Sequence, residues 1–225
     1  MRTCCTCLML MIGVLVSTAT CAEDALPRVL MLGDSVTRDA ASQMAKDLKG
    51  ELDIIYAKWE SGEVASTTTA LEKLDRLLGD QKWDVIYFNF GLGDLVYVAP
   101  GMKSFRVLPI HVGGVRATNS QQYEQNLREL VDRLQRTEAK LIWGNTTPIR
   151  HSTPNIFELG SEVEYNAIAA KIMAQHNVPI CDMYSYVREL IDMNKPASHG
   201  ADPFFFDRKP IHPPMVAAVR SALAR

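Results

Sequence analysis

Arg28-Val-Leu-Met-Leu-Gly-Asp-Ser-Val36 decides how the rest of the chain is read. Val29, Leu30, Met31 and Leu32 form an unbroken apolar run, the pattern of a strand buried on both faces. Gly33-Asp34 interrupts that run, and Ser35 falls where the chain turns into a helix. A serine there is presented in a crevice beside the unpaired N–H groups of a helical first turn. That placement suits a nucleophile whose product charge needs stabilising. The plainer alternative is a strand-to-helix turn with Asp34 or Ser35 acting only as a cap.

Outward from this stretch, apolar strand-like runs alternate with helical ones. Strands are predicted at Val29–Leu32, Leu52–Tyr56, Val85–Phe90, Leu141–Trp143 and Val178–Cys181. Helices are predicted at Val36–Leu48, Leu71–Leu78, Ser120–Leu134, Val163–Ala174, Tyr184–Met193 and Pro213–Leu223, with Ser120 as a cap. Gly91 to Asn119, rich in Gly and Pro, reads as a long irregular segment. Five strands joined through helices imply right-handed crossovers and a parallel sheet covered on both faces. Ligand sites in such folds lie beyond the carboxyl ends of the strands.

The chain has 225 residues, 47% apolar and 22% charged, enough for one domain with a sizeable core. A net charge of -2 gives no reason to expect nucleic acid or an anionic membrane as partner. Residues 1–22 carry an early Arg2, an apolar stretch from Leu8 to Val16 and small residues after it, with cleavage candidates at Ala19 and Ala22. This is a secretory signal pattern, too short to span a bilayer, so residues 23–225 form the mature domain, exported to a periplasmic or extracellular space. Lipidation at Cys21 is the alternative, poorly matched by Thr18-Ala19-Thr20. Cys4, Cys5, Cys7 and Cys21 leave with the signal. Cys181 remains, in an apolar run that predicts a buried, inert thiol.

His212 precedes the closing helix, where an imidazole can reach toward a serine at the end of the first strand and shuttle its proton. A surface histidine at a helix start is the plain alternative. His151, His199 and Asp202 have no spacing of a known metal site.

Gly33-Asp34-Ser35 near the mature amino terminus, with His212 near the other end, resembles the SGNH (GDSL-type) hydrolases. Trp83–Leu95 and Leu141–Pro148 are similar to exported bacterial members. The resemblance implies a flavodoxin-like three-layer α/β/α sandwich with a five-stranded parallel sheet. It also implies ester hydrolysis through an acyl-enzyme on a small-molecule or glycan ester, with no cofactor and no metal. Ser35 matches the nucleophile and His212 the general base and acid, and Gly62 is the candidate second oxyanion donor.

Two departures stand out. Gly93 occupies the place of the family's Asn, whose side chain donates to the oxyanion; Asn89 or the Gly93 N–H is the substitute to examine. Loss of one such donor typically costs about 3 kcal/mol of transition-state stabilisation. Lys209 occupies the place of the Asp that orients the histidine, and Asp207, five residues before His212, or a backbone carbonyl is the substitute. These departures support a rival: a non-catalytic or weakly active carbohydrate-binding protein on the same scaffold. Further along, Phe204–Phe206 reads as an acyl-pocket lining or as core packing. Trp59 and Tyr97 read as sugar platforms or loop shields, and Asn145-Thr146-Thr147 matches a glycosylation pattern at the rim of the sheet.

Overall fold

The computed structural model describes residues 25–101, 106–150, 155–195, 206 and 209–224. Residues 1–22, which read as a signal pattern, and Asp207 lie outside the described residues.

Strand β1 (Arg28–Leu32) lies between β2 (Asp53–Tyr56) and β3 (Val85–Phe88), and β3 pairs onward to β6 (Lys140–Gly144) and β7 (Ile180–Cys181). The order β2-β1-β3-β6-β7 is parallel throughout, in the register Leu30↔Ile55, Leu30↔Ile86 and Ile86↔Leu141. This is the five-stranded parallel sheet the apolar runs imply. The β3 side chains are wholly buried, as a central strand covered on both faces requires. Each such side chain contributes about 2 kcal/mol through burial.

Helices α1 (Ser35–Asp47) and α7 (Pro213–Leu223) cover one face, joined by an ion pair from Arg220 to Glu51 just beyond α1. Helices α2 (Thr67–Leu78), α4 (Ser120–Gln135) and α5 (Ser161–Gln175) pack in a row on the other, as right-handed crossovers demand. Asn119, not Ser120, caps α4 through its bond from the Gln122 N–H. Helix α6 (Met183–Leu190) follows β7. No described helix is long and apolar enough to cross a membrane.

The segment read as irregular holds more order than its composition signals. It contains a short helix α3 (Leu92–Leu95) and an antiparallel hairpin of β4 (Tyr97–Val98) and β5 (Val115–Arg116). The Tyr97 N–H donates to Ile156 and the Ile110 N–H to Asn155, so the hairpin is stitched to the segment before α5. Strands of two residues carry no periodicity a sequence reading can detect.

Candidate active site at the carboxyl edge of the sheet

The turn after β1 is built from backbone first. At Gly33 a Cβ would stand 2.6 Å from Thr37 Oγ1 and 2.9 Å from the Asn89 carbonyl oxygen, so only glycine fits. The Gly33 carbonyl accepts two hydrogen bonds, from the Tyr56 hydroxyl at 2.9 Å and the Trp59 indole N–H at 2.7 Å. Asp34 caps α1, its carboxylate accepting from the Thr37 N–H at 3.1 Å. Burial pushes the Asp34 carboxyl up to about 6, against the lowering effect of the Thr37 and Val36 N–H groups.

Ser35 is the first residue of α1 and is exposed. Its hydroxyl and its N–H have no hydrogen-bond partner among the described residues. A free hydroxyl beside its own free N–H gives part of the local arrangement that nucleophilic attack on a carbonyl needs, the Val36 and Thr37 N–H groups being turned to Asp34. Asp34 is the cap of the turn, and Ser35 is left open.

His212 is not beside it. Its Nε2 stands 2.9 Å from the Asp47 carboxylate, at the last residue of α1. Asp47 stands twelve positions after Ser35 along the helix, a rise of about 18 Å. The expected meeting of imidazole and serine is therefore absent from this arrangement. Among the described residues no other histidine approaches Ser35: His111 lies in the turn inside the β4–β5 hairpin and His176 pairs with Asp132.

Lys209 is bound elsewhere for a clear reason. Its ammonium donates to the Leu190 carbonyl at the end of α6, where a cation complements the helix dipole, and the Tyr186 hydroxyl donates to the neighbouring Pro210 carbonyl at 3.1 Å. The segment before α7 is thus stapled to α6.

The oxyanion candidates divide. The Asn89 amide donates to the Gly144 carbonyl at 2.8 Å, joining the ends of β3 and β6. The crevice that Asn89 shares with Asp34, Thr37, Tyr87, Asn145 and Met215 holds only about 10 Å³ and admits no substrate. Gly62 and Gly93 come together instead on a separate polar cleft of about 520 Å³, with Thr68, Lys73, Arg106 and Thr118. Gly93 lacks a side chain because the Ala65 carbonyl and the Ser66 nitrogen fill the space a Cβ would take.

Two features escaped the sequence reading. Asp94, fully buried, accepts from the Thr67 N–H at 3.0 Å and the Thr67 hydroxyl at 2.6 Å, tying α3 to the start of α2. Burial pushes its carboxyl up to about 6. The clamp of Tyr56 and Trp59 on Gly33 is the other; the only sequence signal is an aromatic that ends a strand with a second three residues beyond it. Tyr97 is a hairpin residue, its hydroxyl on Glu158 at 3.2 Å and its ring facing Arg116. Phe206 packs into the core, while Phe204 and Phe205 lie outside the described residues. The Asn145 side chain is used twice, donating to Asp182 and accepting from the Tyr184 N–H, each at 2.8 Å.

No protein-family model matches the chain, and no curated protein matches it in sequence. Among solved structures it is similar to the acetyl xylan esterase AlAXEase, with a TM-score of 0.65 at 16% identity over 85% of this chain and 99% of that one. It is also similar to the acetylxylan esterase Axe2 of Geobacillus stearothermophilus, at TM-score 0.58 and 16% identity over 88% of this chain and 94% of that one. The lipase/acylhydrolase of Enterococcus faecalis matches at TM-score 0.57 and 14% identity, over 88% and 96%. At these identities the likeness is one of fold, and the fold is that of the SGNH hydrolases.

Proposed function

We propose that this chain of SGNH hydrolase fold is an exported ester hydrolase that acts on small acyl esters, acetyl groups on carbohydrate foremost. The observation that carries the reading is Ser35: exposed, unpartnered, and seated on the first turn of α1 beyond the carboxyl edge of the sheet. In this reading Ser35 Oγ attacks the ester carbonyl while the Ser35 N–H faces the oxyanion. The alcohol departs, and water then releases the acid from the acylated serine. His212 is the proton shuttle in this reading, and the whole segment before α7 must shift to bring it to Ser35, since rotation of the ring away from Asp47 covers only a fraction of the distance. The acetyl xylan esterases among the structural neighbours support the choice of acetyl esters, as an analogy of fold.

A second reading has its own observations: the His212–Asp47 pair and the Ala65 backbone against Gly93. They favour a protein that binds a glycan ester without turning it over. One experiment separates the two. Mature protein is incubated with a chromogenic acetyl ester and with a serine-directed organophosphonate. The hydrolase reading expects ester cleavage and labelling at Ser35, both lost in Ser35→Ala. Cleavage at the same rate in Ser35→Ala, or no labelling together with glycan binding, overturns it.

A further inference from the structure

A groove of about 450 Å³ runs between α1 and the β2 edge of the sheet. Arg38, Ala41 and Ala45 line it from α1, Ile54 and Tyr56 from β2, and Lys58 and Trp59 from the turn that follows. The α1 positions recur every three or four residues and form one stripe, which Ser35 opens one turn above Arg38. Tyr56 and Trp59 are also the two residues that hold the Gly33 carbonyl. Two of the groove's side chains thus touch the turn that carries Ser35, and its volume is that of a small-molecule site.

Its lining is chemically one-sided. Ala41, Ala45 and Ile54 give an apolar floor, and Tyr56 and Trp59 give aromatic surface on which a ring can lie. Arg38 and Lys58 supply two cations, and no carboxylate lines the groove. Arg38 Nε donates to Asp39 at 2.9 Å, but neither of its Nη groups has a partner among the described residues, and nor does the Lys58 ammonium. A site for a neutral sugar would need acceptors and amides for its hydroxyls; this lining offers only the Ser42 and Tyr56 hydroxyls, the second already bound to Gly33. Two cations over an apolar aromatic floor fit a planar or cyclic body that bears a carboxylate.

We propose that this groove is a subsite for a ring-bearing carboxylate, a uronate or an aromatic acid, its ring against Trp59 and its carboxylate between Arg38 and Lys58. That the ring is part of the ester attacked by Ser35 rests on the function proposed above; the binding itself does not.

Calorimetric titration tests it, using D-glucuronate and 4-hydroxybenzoate as probes against D-glucose and phenol as neutral counterparts. At least one acid binds, about tenfold more tightly than its neutral counterpart. The exposed-site variants Arg38→Gln and Lys58→Gln each weaken that binding about fivefold, and their melting curves stay close to wild type. Binding of the uronate alone assigns a carbohydrate occupant, and binding of the benzoate alone an aromatic one. Binding of neither acid, equal binding of the neutral counterparts, or an unchanged affinity in the double cation variant overturns the proposal. Ser35→Ala keeps the binding. If acids bind while acetyl esters are untouched, the groove stands and the hydrolase reading falls; if esters are cleaved and neither acid binds, the reverse holds.

Discussion

His212 and Asp47 face each other across α7 and α1, ring nitrogen to carboxylate at 2.9 Å, and this pair keeps the imidazole about three helical turns from Ser35. If His212 serves Ser35, then Asp47 restrains it. Asp47→Ala should raise the rate of organophosphonate labelling at Ser35 severalfold, and the gain should vanish in Asp47→Ala/His212→Ala. The Asp47 side chain is half exposed, so the loss of stability should stay below about 1 kcal/mol. An unchanged labelling rate would remove His212 from the chemistry.

Restoring the amide at position 93 should not restore a donor. The Ala65 carbonyl lies where the new Cβ must go, so Gly93→Asn has to displace backbone, at a cost of about 1–3 kcal/mol. Thermal melting should fall by several degrees with no gain in ester cleavage. A variant that melts like wild type would show that the backbone over Gly93 yields freely.

Asp94 should leave a signature in the pH dependence of stability. Its carboxyl stands at about 6 in the folded chain against an ordinary 3.8, so between those values the folded state binds the extra proton. Its contribution therefore weakens folding as pH rises from about 4 to about 6, by up to about 3 kcal/mol, and is constant above that window. Asp34, also raised to about 6, acts in the same direction. Melting temperatures of Asp94→Asn across this window should lack the Asp94 share of the decline. Parallel curves for variant and wild type would refute it.

Cys181 should be chemically silent. It is buried, and burial pushes its thiol up to about 11. At pH 8 only about one molecule in a thousand carries the thiolate, so iodoacetamide should leave the folded protein unmodified and label it fully in denaturant. Rapid labelling of the native protein would contradict the burial.

Much of this was legible in the order of residues, for reasons that differ by element. Val29–Leu32 and the run from Val85 announce central strands because burial on both faces leaves no room for polar alternation. Ser35 was legible because a strand, a glycine and a helix start fix where a side chain emerges. The β4–β5 hairpin was not, since two-residue strands show no period. The orientation of His212 was not legible either. Sequence places a histidine at a helix start, but the direction of its ring is set by Asp47, a partner on a distant element. The missing amide at Gly93 was visible as a pattern, whereas the Ala65 peptide that fills its space belongs to tertiary structure. In sequence Trp59 reads as platform or shield; its bond to Gly33 gives it a third use, bracing the turn that carries Ser35.

The Ala65 peptide over Gly93 also makes the two places interdependent under selection. The stretch 64–66 is pinned from both sides, by the Ser66 N–H to Val64 and by the Ser66 hydroxyl capping α2. Random mutagenesis at position 93 alone should then recover only losses. Any directed-evolution route to stronger catalysis has to loosen residues 64–66 first and enlarge position 93 afterwards, so the order of the steps matters as much as their identity.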